Sequence, residues 1–103
     1  MIGLRKRAPR ANSGIAGSRV RAAPRVVQAE RDGRAVLLDL RGERYFGLDE
    51  SGTRFWAVLS EGRTVDETAR LLADEYDAPL EQLRTDTQAF AERLLDAGLL
   101  ELA

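Results

Sequence analysis

The sequence predicts an α+β fold: a three-stranded antiparallel β meander followed by three helices, in a winged helix-turn-helix-like order. Three observations carry this prediction. Short β-rich runs separated by glycine-containing turns occupy residues 25–48, a capped amphipathic helix starts at once behind Asp49, and two further helical patterns with start signals fill residues 64–97.

Arg25 to Ala29 forms a first short strand built on Val26 and Val27. Arg31-Asp32-Gly33-Arg34 is a turn, because Asp tolerates the left-handed region and Gly adopts positive φ without a steric penalty. Ala35 to Asp39 is nearly all apolar and reads as a middle strand buried on both faces. Arg41-Gly42-Glu43 turns the chain again, and Arg44 to Leu48 is the third strand. Phe46 and Leu48 are expected on one of its faces, with Arg44, Tyr45 and Gly47 on the other. Gly47 within that strand suits a sheet edge, where unpaired backbone groups are a template for another chain.

Asp49 is the expected N-cap of a helix over Glu50 to Leu59, with Gly52, Phe55, Trp56 and Leu59 as its buried stripe and Glu50–Arg54 as an i,i+4 pair. Glu61-Gly62-Arg63 ends it. Thr64-Val65-Asp66-Glu67 is a capping box that opens a second helix to about Tyr76, whose inner face is Val65, Thr68, Ala69, Leu72 and Tyr76. Pro79 sits where a first helical turn tolerates it, and a third helix over Leu80 to Ala97 carries Leu83, Thr87, Phe90, Ala91, Leu94 and Leu95 as an apolar stripe. Gly98 is the expected residue after its end, and Leu99 to Leu102 docks as a closing strand or an apolar plug. Residues 1–24 show no period and contain two of the three prolines. They are expected to be a flexible basic arm, dispensable for the function of a domain spanning 25–103.

At 103 residues the chain has room for one domain. No apolar run approaches the roughly 18 residues that cross a bilayer, so no membrane role is expected, and the absence of Cys suits the reducing cytoplasm. With no His and no Cys, the Ser/His and Cys/His nucleophilic pairs and the commonest metal ligands are unavailable, and no metal or cofactor is expected. The carboxylate pairs Asp66/Glu67, Asp74/Glu75 and Glu92/Asp96 fall on polar helix faces, where solvation rather than acid–base work is the plain reading. No glycine-rich phosphate loop occurs. Phe46, Phe55, Trp56 and Phe90 are read as core, whereas Tyr45 points away from Phe46, toward a terminal segment or a partner. The composition is that of a protein that holds another chain rather than one that performs chemistry.

The hairpin, RYFGLDESGTRFW, GRTVDETARLLADEY and the ending LLDAGLL together closely resemble PqqD-like proteins, the recognition elements for precursors of ribosomally made, post-translationally modified peptides. Tyr45, Phe46, Leu48, Asp49, Gly52 and Trp56 are the most specific part, and the likeness covers about residues 26–102. It looks most like the standalone leader-binding protein of lasso-peptide clusters. The resemblance implies that a precursor's leader peptide adds as an antiparallel strand along Arg44, Tyr45, Phe46, Gly47 and Leu48, beside the third helix. Tyr45, Leu83, Thr87 and Phe90 would then wall its pockets, with Arg84 and Asp86 at the rim, although core packing competes for each apolar helix residue. The implied partners are the leader, a separate leader peptidase and a cyclase.

The rival reading is a winged helix-turn-helix DNA-binding regulator. Such a protein meets phosphates with Lys and Arg. Here residues 1–25 hold seven basic residues and no acid, but residues 26–103 carry the other nine against all 17 acids. The would-be recognition helix has Arg84 and Arg93 against Glu81, Asp86, Glu92 and Asp96, so no nucleic-acid partner is expected for the domain.

Overall fold

The computed structural model describes residues 15 and 17–103. The expected meander is present as β2 (Val26–Arg31), β3 (Arg34–Asp39) and β4 (Arg44–Gly47), paired in the order β2-β3-β4. The β2–β3 hairpin closes on Asp32 and Gly33 at φ 55° and 79°, the two positive φ values that a type I′ turn requires. It sets the register Arg31↔Arg34 through Val26↔Asp39, and the next hairpin sets Asp39↔Arg44 through Val36↔Gly47. In β3 the alternation is strict: Ala35, Leu37 and Asp39 are buried, while Val36 and Leu38 are half-buried. The expectation of a strand buried on both faces therefore holds for one face only, because among the described residues no second layer covers the other.

The three helices are α1 (Glu50–Leu59), α2 (Val65–Tyr76) and α3 (Leu80–Asp96). Asp49 caps α1 by accepting from the Gly52 amide at 2.7 Å. The reciprocal box on α2 forms as expected: the Glu67 amide donates to Thr64 Oγ1 at 2.9 Å, and the Thr64 amide to Glu67 Oε1 at 3.0 Å. Gly98 takes φ 79° behind α3, and a Cβ there would lie 2.8 Å from Arg25 Nη2. Trp56, Leu59, Val65, Leu72, Leu37 and Leu99 fill the core, and Phe55 meets Phe90 edge to face at 5.5 Å. Tyr76, expected inside, is exposed at the last turn of α2. Arg54 bonds Glu75 of α2 at 2.7 and 2.8 Å rather than Glu50 of its own helix.

A second sheet was not anticipated. β1 (Arg19–Ala22) lies between β5 (Glu61–Thr64) and β6 (Leu100–Leu102), antiparallel to both. The arm expected over 1–24 thus ends earlier: residues 19–22 are the central strand of this sheet, Val20 is fully buried and Ala23 is 2 % exposed. Of the arm, residues 1–14 and 16 lie outside the described residues. β5 occupies the Glu61-Gly62-Arg63 stretch expected only to end a helix, and β6 realises the closing-strand option for the C-terminus. Neither β1 nor β5 has a local signature, since each offers four residues with little apolar alternation and finds its partners more than 35 positions away.

Candidate functional site

β4 pairs with β3 on one side and, among the described residues, with nothing on the other. The Leu48 amide donates to the Ala35 carbonyl at 2.9 Å. Bonded and non-bonded residues alternate along an antiparallel pair. Arg44 and Phe46 therefore direct their backbone groups to β3, and Tyr45 and Gly47 direct theirs to the free edge. Two N–H and two C=O groups stand open there, the complement of one short incoming strand.

Side chains complete this margin. Tyr45 is 75 % exposed on the outer face, in register with Leu38 and, across β3, with Val27. A Cβ at Gly47 would find nothing within 4 Å. Phe46 points inward and packs on the core, as does Leu48. Arg44 was expected on the Tyr45 face, but residues two apart on a strand share a face. Its guanidinium lies over the Phe46 ring at 5.2 Å and reaches inward to Asp39 Oδ2 at 3.2 Å and the Ala97 carbonyl at 3.1 Å.

α3 contributes differently from expectation. Leu83, Thr87 and Phe90 are each 6 % exposed or less, so in this state they are core beneath the helix and not open walls. Arg84 faces α2, where its Nε bonds Asp66 at 2.9 Å, and its Nη1 bonds Glu81 at 2.8 Å. Asp86 is exposed. Asp86, Phe90, Arg93 and Ala97 follow at helical spacing on one flank, which meets β4 where Arg44 bonds Ala97. At the opposite end of β4 the sheet opens into a cavity of about 660 Å³ lined by Arg34, Val36, Gly47, Leu48 and Asp49 among others. Neither Arg34 nor Val36 was a sequence candidate.

The site also contains a carboxylate that the sequence reading passed over. Asp39 is 3 % exposed and continues the inward series Ala35, Leu37. The Gly42 amide, the Arg44 guanidinium, the Arg41 amide and the Arg25 charge together hold it below the usual carboxylate range, against the opposing effect of burial. An acid at an inward strand position was the available signal, since a buried charge demands partners. Among the described residues no cluster of acids could hold a metal ion, and no helix is long and apolar enough to cross a membrane.

The family model described as Coenzyme PQQ synthesis protein D matches residues 34–100. The chain belongs to the PqqD family. A PqqA binding protein from Rhizobium meliloti (strain 1021) is 31 % identical to this PqqD-family chain over 91 residues, covering 85 % of the chain and 91 % of the relative. The structure of TbiB1 in complex with the TbiA(beta) leader peptide superposes with a TM-score of 0.73 at 34 % identity, over 79 % of this chain and 94 % of that one. The PqqD truncation of Methylobacterium extorquens PqqCD, solved by solution NMR as a stand-alone recognition element for ribosomally synthesised, modified peptides, superposes with a TM-score of 0.65. It is 31 % identical, over 85 % of this chain and 95 % of that one.

Proposed function

We propose that this chain is a non-catalytic recognition element that binds the leader of a ribosomally made precursor peptide by β-strand addition to β4, beside α3. The observation that carries the reading is the free edge at Tyr45 and Gly47, in a family with a solved relative that holds a leader peptide. Backbone hydrogen bonds to Tyr45 and Gly47 give the strand its hold, and alternate leader side chains are read on the Phe46 side and over Tyr45. The bound leader is presented to a separate leader peptidase of the same cytoplasmic pathway, as in lasso-peptide biosynthesis, and to further modifying enzymes such as a cyclase. Presentation works by proximity: tethering the leader raises the effective concentration of the cleavage site at the peptidase. The DNA-binding alternative draws no support from α3, where Arg84 is already engaged by Asp66 and Glu81.

Replacing Gly47 by Pro tests the reading. Its N–H faces the free edge, so proline removes no hydrogen bond within the domain and is placed where sheets accept it. It does remove a donor that the incoming strand needs and puts a ring in its path. A fluorescein-labelled synthetic leader peptide should bind the parent protein with roughly micromolar affinity or better. The Gly47→Pro protein should keep its circular dichroism spectrum and lose this binding. Unchanged affinity in the proline variant would overturn the edge assignment.

A further inference from the structure

Three charged side chains cross the meander in a row where β2 starts, β3 ends and β4 starts. Asp39, on the middle strand, is flanked by Arg25 Nε at 3.4 Å and Arg44 Nη2 at 3.2 Å. The Arg41 and Gly42 amides of the β3–β4 turn each donate to its Oδ1 at 3.2 Å. Each arginine has a second attachment. Arg44 Nη2 donates to the Ala97 carbonyl at 3.1 Å, and Arg25 Nη2 to the Gly98 carbonyl at 3.1 Å. The Ala97 carbonyl caps the C-terminal end of α3, where helix carbonyls lack partners in the helix and carry about half a unit of negative charge, and the Gly98 carbonyl follows it in the turn behind the helix. One carboxylate facing two guanidiniums leaves an excess of positive charge, and the helix terminus offsets part of it. The row thus ties the end of one helix to all three strands of the sheet.

We propose that Arg25, Asp39 and Arg44 form a positioning clasp that holds the last turn of α3 at a set distance from the free edge of β4. The inference rests on the β4-edge reading and deepens it, because a strand entering there needs both margins in place beforehand. A margin already ordered costs less to bind than one that must be ordered on contact. Asp39 suits the task. It is buried, its carboxylate stays charged through the protons of Gly42, Arg44 and Arg41, and either arginine alone would leave one side of it open.

Arg25 separates positioning from contact. It precedes β2, the edge strand farthest from β4. A peptide added to β4 lies three strand spacings from β2, about 14 Å, beyond the reach of an arginine side chain. Arg25 can therefore change peptide affinity only through Asp39 and the end of α3, whereas Arg44 lies on β4 itself and could act directly.

The chain has no cysteine, so Leu40→Cys and Arg93→Cys, at exposed positions beside β3 and on α3, take nitroxide labels at those two sites only. Electron–electron double resonance gives the distance distribution between them in the parent background, in Arg25→Gln and in Asp39→Asn. Polarisation of the labelled leader gives the affinity for each without the spin labels. Arg25→Gln should broaden the distribution and weaken the peptide about tenfold, the loss of one charge-assisted contact, and bound peptide should narrow the distribution again. Asp39→Asn should do the same more strongly, and if it unfolds, Arg25→Gln and Arg25→Lys decide. A parent that fails to bind the leader overturns the β4 reading and this inference with it. A parent that binds, with Arg25→Gln unchanged in both distribution and affinity, overturns the clasp alone.

Discussion

Removing β1 should unfold this domain, although its four residues fall in a stretch that reads from the sequence as a dispensable arm. The cost can be worked from contacts. Val20 is fully buried, so Val20→Ala gives up two methyl groups at about 0.8 kcal/mol each and leaves a cavity, about 2–3 kcal/mol together. Deleting residues 1–22 removes the whole side chain and the central strand between β5 and β6, and uncovers Leu100. The exposed pairs Arg19–Glu67 and Arg21–Glu101 go too, but water and salt screen them and they add little. The sum exceeds about 5 kcal/mol, the lower end of a small domain's entire stability. Urea unfolding followed by far-ultraviolet circular dichroism and by the emission of Trp56, the only tryptophan, reads both variants. Val20→Ala should lower the midpoint without changing the slope, and the deletion should show no cooperative transition. A deleted protein with the parent midpoint would refute the assignment of β1 to the fold and restore the dispensable arm.

Acid should weaken the domain in a defined window. Asp39, Asp66, Glu67 and Glu75 all have folded-state pKa values lowered below their ordinary values by amide or arginine partners. The unfolded chain therefore binds more protons, so their stabilisation is present above about pH 4.5 and is lost as pH falls through the folded values. Far-ultraviolet circular dichroism across an acid titration checks this, and Glu67→Gln, which removes one of the stabilising linked groups, should make stability fall less steeply with pH and move the acid transition to higher pH. Thr64→Ala removes one half of the α2 capping box and should cost about 1 kcal/mol, measured by the same urea method, while leaving leader affinity intact.

The meander, the three helices and their caps were legible in the sequence because each is specified locally. Asp32-Gly33 dictates a turn whose backbone geometry needs no distant partner, and Thr64 with Glu67 closes a box within one turn of helix. The site edge was legible for the same reason, since Arg44–Gly47 follows two short turns and so comes last in its sheet. What each side chain does there was less so. The helical stripe of Leu83, Thr87 and Phe90 predicts burial, but only the packing of α3 against α1 and α2 shows that the core takes them wholly and that Arg84 turns to Asp66.

By itself, then, the sequence determined the meander, the three helices and the strand with the open margin, which rest on interactions a few residues apart, and its motifs pointed to the family. The tertiary structure alone decided the second sheet and the Arg25–Asp39–Arg44 row. Val20 meets Leu102, and Arg25 meets Gly98, across more than 70 residues of chain. An arginine or a short strand has no periodic signature of its own, and its role exists only once folding brings its partner alongside.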